Sequence, residues 1–229
     1  MQIDLDTIYQ VVIETDRGSI TMITTAALPY QVFHATGSSF AVGMLGVVQL
    51  GPLLLFSLVG GALADGFDKR KLLLGVTAIS MACSLALAIN ASLDHPQVWL
   101  LYVLGAAAAA MFAVSFPVLR SLLPLLLDND LRPAGFALQS TYGSFGMMAG
   151  PAVAGLLIGL VGLTSAYFAD VATYALALVV FAGIAPSPPV EGAETASRSS
   201  ILEGLRFVRG HSIIISIFVL DLLAMIFGM

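Results

Sequence analysis

Residues 60–71 read Gly60-Gly61-Ala62-Leu63-Ala64-Asp65-Gly66-Phe67-Asp68-Lys69-Arg70-Lys71, a charged hairpin inside the otherwise apolar stretch 40–93. Before it lie about 24 residues without a charge, enough to cross a hydrocarbon core of ~30 Å at ~1.5 Å per residue. Residues 72–93 form a second uncharged span after it. Two such spans joined by so short a loop make a membrane hairpin. The three cations in the loop, Lys69, Arg70 and Lys71, set the face of the membrane on which it lies.

Composition agrees with a life in lipid. Of the chain's residues 59% are hydrophobic and 10% charged, against about 25% charged in a soluble domain; the mean hydropathy is +0.98. Nine Lys and Arg against fourteen Asp and Glu leave a net charge of -5, which argues against nucleic acid as a partner. The single cysteine, Cys83, falls inside an apolar span, so no intrachain disulfide can form. Asp4, Asp6, Glu14 and Asp16 stand where a cleavable signal peptide would carry a basic segment, so no such leader is expected.

Further spans are expected at 20–34, 98–119, 135–161, 166–184 and 213–229, which makes seven. The first is marginal, because only about fifteen apolar residues follow an acidic start. Basic residues fall in every second connection: Lys69, Arg70 and Lys71 after span two, Arg120 and Arg132 around the end of span four, Arg198, Arg206 and Arg209 after span six, and Arg17 before span one. The connections after spans one, three and five contain no Lys or Arg. Such asymmetry puts the amino terminus, the hairpin and the connection after span six in the cytoplasm.

Three units are expected in order: an amino-terminal bundle over 1–184, a Pro-rich linker over 185–199, and a segment over 200–229 that begins a second bundle. In the last, Ser200 and Glu203 form a capping box ahead of a short interfacial helix, and the seventh span follows. Span two carries Gly46, Gly51-Pro52 and Gly60-Gly61; span five carries Gly146, Gly150-Pro151 and Gly155, with the two prolines at positions 52 and 151. Glycine is common in membrane helices, and spacing alone leaves that explanation level with an inverted repeat of two three-helix units.

The hairpin resembles the signature loop of the major facilitator superfamily, Gly-x-x-x-Asp-Arg/Lys-x-Gly-Arg-Arg between the second and third helices. Gly61, Asp65, Lys69 and Arg70 match it, whereas Gly66 replaces the first basic residue and Asp68 the second glycine. The acidic variant is similar to the branch with enterobactin-exporter and macrolide-efflux-type proteins. Resemblance continues at 26–32, 36–39, 123–138 and Gly150-Pro151-Ala152, and this favours the repeat for Gly51, Pro52, Gly146, Gly150 and Pro151 as packing or gating positions. It implies an all-α multi-pass membrane bundle: six helices built as a 3+3 inverted repeat, plus one further helix. The implied activity is proton-coupled efflux of a small amphipathic molecule, a drug or a siderophore, across the inner or plasma membrane, with no cofactor. Its partners would be the substrate, protons, the bilayer and a missing carboxy-terminal half. The family's first helix starts about a dozen residues earlier with an apolar run, so a truncated, mis-started or chimeric beginning and an incomplete first helix are expected. The alternative is a non-transporting scaffold or sensor, or an inactive fragment.

Four groups stand out for chemistry. Asp65 ends span two, where the resemblance implies a conformational latch with Gly61, Lys69 and Arg70 across the interface between bundles; it equally suits a cap for helix three. Asp170 and Asp221 lie within spans six and seven, roughly 8 Å and 15 Å deep. A charge there costs at least ~2.5 kcal/mol, so each is protonated, paired or wet. A carboxylate of that kind can carry a proton, or simply hold helices together by a neutral hydrogen bond. Arg120 either snorkels or pairs with Asp65 or Asp128. Gln139 and Tyr142, at the polar start of span five, suit the wall of an aqueous path or ties to neighbouring helices. His34, His95 and His211 sit at separate span ends and make no metal site, and no nucleophile, base and acid converge as an enzyme would require.

Overall fold

The computed structural model describes residues 23–126 and 129–183. The expected linker, the interfacial helix and the seventh span with Asp221 lie outside the described residues. So do the side chains of Asp65 and Tyr142 and the surroundings of Gly61.

Among the described residues the chain folds into six helices with no strand: α1 over 23–36, α2 Ser39–Gly66, α3 Lys69–Ala91, α4 Val98–Leu126, α5 Arg132–Leu160 and α6 Leu163–Gly183. Five of them, α2 to α6, are long and apolar enough to cross a membrane. Each boundary has a chemical cause. Helix α2 runs on through Gly60 and Gly61, so the turn to α3 is only Phe67 and Asp68. Asp68 is the N-cap of α3, its carboxylate accepting from the Lys71 N–H at 3.1 Å. The cap that Asp65 was a candidate for is therefore supplied by Asp68. Gly37 and Gly162, at φ 62° and 99°, make the short turns after α1 and α5 in a conformation that glycine adopts without strain.

The α3–α4 connection is held by Asn90. Its Oδ1 accepts from the Gln97 N–H at 2.8 Å and its Nδ2 donates to the Gln97 carbonyl at 3.4 Å. With Asn90 1% exposed, these two bonds satisfy a buried amide and staple the connection.

Helix α2 packs chiefly on α4, and α3 packs on α6 and α4. On the other side, Ala154 of α5 sits with Ile23 of α1 and Ala166 of α6. Exchanging α1 with α4, α2 with α5 and α3 with α6 turns the α2–α4 contact into the α5–α1 contact and leaves α3–α6 in place, which is the relation an inverted 3+3 repeat requires. One core joins Leu28, Leu45, Leu87, Leu101 and Tyr167 from five helices. A second, of Leu73, Val118, Ala177 and Phe181, lies toward the hairpin. The large apolar side chains of Phe40, Leu54, Leu55, Met148 and Val179 are exposed, which suits helices set in lipid.

Close approach is made at two glycines. A Cβ on Gly60 would stand 3.0 Å from the Ala113 carbonyl oxygen and 3.2 Å from the Val114 Cα, so α2 rests against the backbone of α4 there. A Cβ on Gly105 would meet the ends of the Leu28, Gln49 and Leu45 side chains. At Gly51 a Cβ would meet open space among the described residues; Gly146 and Gly150 are buried, and Pro52 and Pro151 both lie inside their helices.

Candidate functional site

Two places gather polar chemistry. The first is the hairpin end of the bundle. Arg70, at the second position of α3, reaches the last turn of α6, where its Nε donates to the Phe181 carbonyl at 3.4 Å and its Nη2 donates to the Ala182 carbonyl. Helices leave their final carbonyls without intrahelical donors, and a guanidinium there satisfies two of them while opposing the negative end of the helix dipole. Arg70 thus ties α3 to α6. Lys69 beside it, at the start of α3, is 2% exposed. Removing the tie should cost about 1 kcal/mol, because a partly exposed charge-assisted hydrogen bond is modest in net worth. An Arg70→Gln variant in detergent is therefore expected to unfold a few degrees earlier by circular dichroism, and an unchanged midpoint would show the tie to be idle.

The second place is the interior between α1, α3 and α6. Asp170 lies about 10 Å along α6 from its start at Leu163 and is 0% exposed. Its Oδ2 accepts hydrogen bonds from Thr24 Oγ1 of α1 and Ser84 Oγ of α3, each at 2.5 Å. Its Oδ1 has no partner among the described residues. No cation among the described residues is seen in contact with it. Burial of a charge without a counter-ion is costly, and two short hydroxyl bonds offset only part of that cost.

One turn earlier on α6, the Tyr167 hydroxyl donates to Gln31 Oε1 of α1 at 2.8 Å, and Gln31 Nε2 is unpartnered among the described residues. Helices α1 and α6 are thus joined by the Thr24–Asp170 and Gln31–Tyr167 hydrogen bonds.

Thr24 and Ser84 also stand in the wall of a half-open cavity of about 330 Å³ between the helices. Its wall takes Thr24 and Thr25 from α1, Gln49 from α2, Ser84 from α3, Phe112 from α4 and Tyr174 from α6. Apolar surface with a few polar groups is the usual character of a small-molecule site. Asp170 is not in the wall. It lies behind the two hydroxyls.

Other expected site residues fall elsewhere. Gln139 is half-buried on α5 and outside the cavity wall. The neighbouring hydroxyls of Thr141 and Ser144 donate to the carbonyls of Ala137 and Ser140 one turn back on their own helix. Arg120 places its guanidinium 4.6 Å from the centre of the Phe116 ring, a cation–π contact. Thr24, Ser84 and Arg70's carbonyl partners on α6 had not been singled out from sequence. The signal available for Ser84 was only that it lies on the polar side of α3 with Thr77 and Ser80.

A bundle of five helices long and apolar enough to cross a membrane, with a cavity between helices and a buried carboxylate beside it, defines a multi-pass integral membrane protein. Residues 7–229 match the family described as transmembrane secretion effector, within the major facilitator superfamily, and the chain belongs to that family. Among curated proteins it is similar to the enterobactin exporter of Shigella boydii serotype 18, at 25% identity over 182 residues. It is likewise similar to those of Shigella dysenteriae serotype 1 and Escherichia coli O1:K1, at 24% identity over the same length. Each alignment covers 80% of this chain and 44% of the relative, so the chain spans less than half the length of the curated relatives it matches.

Proposed function

We propose that the protein exports a small amphipathic molecule, a drug-like compound or a siderophore, in exchange for protons, and that Asp170 is the group that carries the proton. The observation behind this reading is the fully buried Asp170 carboxylate, without a cation partner among the described residues, separated from a cavity of about 330 Å³ by two hydroxyls. A cavity of that size suits a small molecule or one part of a larger one. Apolar walls with Gln49 and the Thr24–Ser84 pair accept an amphipathic cargo without demanding a charge. Family membership and the named exporters support transport over catalysis.

In this reading the hairpin lies in the cytoplasm of an inner- or plasma-membrane protein with a cytoplasmic amino terminus, because the basic connections face inward. The bundle of 1–184 rocks against a second bundle that begins after the 185–199 linker, and Asp65 with Gly61, Lys69 and Arg70 latches one of the two end states. Asp221 would add a second intramembrane carboxylate at that interface, Gln139 and Tyr142 would line the path between bundles, and Gly51, Pro52, Gly146, Gly150 and Pro151 would let α2 and α5 bend as it opens.

Inverted vesicles bearing the protein are expected to accumulate ethidium, taken as an amphipathic probe, when the lumen is acidic, and to lose that accumulation when an ionophore collapses the pH gradient. Accumulation that survives the collapse would remove proton coupling; none under any gradient would remove the export reading for this cargo class.

A further inference from the structure

We propose that Thr24 and Ser84 form a two-hydroxyl relay through which Asp170 exchanges its proton with the cavity, so that cargo seated against these two side chains interrupts the exchange. This rests on the reading of Asp170 as the coupling group. Three observations carry it. The carboxylate is 0% exposed and absent from the cavity wall, while both groups that touch its Oδ2 belong to that wall. Each hydroxyl is 2.5 Å from Oδ2, within reach for direct proton transfer. Finally, the neighbouring hydroxyls on α3 and α4 behave differently: Thr77, Ser80 and Ser115 donate to the carbonyls of Leu73, Val76 and Met111 four residues back. That is the usual use of Ser and Thr in a membrane helix. Ser84 and Thr24 instead turn across to another helix, from α3 and α1, and meet on one oxygen of α6.

The step balances without a further reactant. A hydronium in the cavity gives its proton to a lone pair of Thr24 Oγ1 or Ser84 Oγ. The hydroxyl's original O–H bond breaks as an O–H bond forms on Asp170 Oδ2, so the carboxylate becomes a neutral acid, the hydroxyl is restored and water remains. The reverse sequence discharges the acid. Other titratable groups stand around the site: Tyr167 and Tyr174 one turn to either side of Asp170 on α6, and Cys83 next to Ser84 on α3. Tyr30 and His34 lie toward the far end of α1 and stack on each other, Lys69, Arg70 and Lys71 lie at the hairpin end of α3, and Arg132 opens α5. Thr24 and Ser84 are the groups seen within hydrogen-bond distance of the Asp170 carboxylate and also in the cavity wall. With two hydroxyls in parallel, loss of one leaves the other working.

The test follows the carboxylic-acid C=O band of Asp170, identified by its absence in Asp170→Asn, by infrared spectroscopy after a rapid drop in pH, with the full chain in lipid nanodiscs. In Thr24→Val/Ser84→Ala the band is expected to reach its full amplitude at low pH but to rise at least about tenfold more slowly, whereas either single substitution slows it by no more than about threefold. Thr24→Ser/Ser84→Thr, which keeps both hydroxyls, is expected to follow the unaltered rate and controls for packing. The unmutated chain offers a second measurement. Its only cysteine, Cys83, lies in the wall beside Ser84, and a bulky thiol adduct there should slow the band in the same way. An unchanged rate in the double variant, or with the adduct in place, would overturn the relay. Absence of any Asp170 band in the unaltered chain would overturn the coupling assignment itself, and the two failures are distinct.

Discussion

The Asp170→Asn variant is expected to fold, to reach the membrane, and to lose at least about tenfold of its acid-driven accumulation of ethidium, since the amide cannot take up or release the proton that energises exchange. The substitution is close to isosteric. An amide oxygen can still accept from Thr24 Oγ1 and Ser84 Oγ, so the joint between α1, α3 and α6 keeps both of its bonds. Only the second oxygen changes chemistry, and that atom has no partner among the described residues to lose. Movement of the dye down its own gradient, which needs no proton, should fall much less. Asp170→Ala separates the two roles, because it leaves both hydroxyls without their acceptor and opens a small void. It should destabilise the bundle by about 1–3 kcal/mol. Equal loss of stability in the Asn and Ala variants, with acid-driven accumulation intact in Asn, would make Asp170 a helix fastener and nothing more.

Much of the fold was legible because charge in lipid is expensive. The uncharged runs that ended at Lys69–Lys71, near Asp94 and near Arg132 placed the boundaries of α2, α3 and α5 within a few residues of where the helices stop, whereas α4 runs past the expected 119 to Leu126 because a single Arg120 does not end it. Asp170 was legible for the same reason, as a carboxylate in a stretch with no other charge. Its partners were not. Thr24 and Ser84 lie 146 and 86 residues away in sequence, and a hydroxyl in a membrane helix gives no sign of whether it serves its own backbone or another helix. Arg70 shows a similar limit. Its charge marked the topology, but the carbonyls it meets carry no residue identity, so the tie to α6 appears only once the chain is folded. The cavity too depends on how five helices meet, and Gln139, polar and well placed in sequence, lies outside it.

The glycines give the second large expected effect, because pattern treats them alike and the structure does not. At Gly60 an added Cβ would meet the Ala113 carbonyl oxygen at 3.0 Å and the Val114 Cα at 3.2 Å. Both are backbone atoms of α4, so relief requires the two helices to separate, and with them the contact on which α2 chiefly rests. Gly60→Ala should therefore destabilise the bundle by about 1–3 kcal/mol, as overpacking in a close-packed interior does. Gly60→Leu should prevent assembly. At Gly105 the nearest atoms are the ends of the Leu28, Gln49 and Leu45 side chains, which can swing aside, so Gly105→Ala should cost less than Gly60→Ala while narrowing the cavity at Gln49. Gly51→Ala meets open space and should be neutral, or stabilising by up to about 1 kcal/mol through reduced freedom of the unfolded chain. Thermal unfolding in one detergent ranks the three. If Gly51→Ala proved as damaging as Gly60→Ala, close contact with α4 would not be what the glycines of α2 provide, and a bending role around Pro52 would take its place.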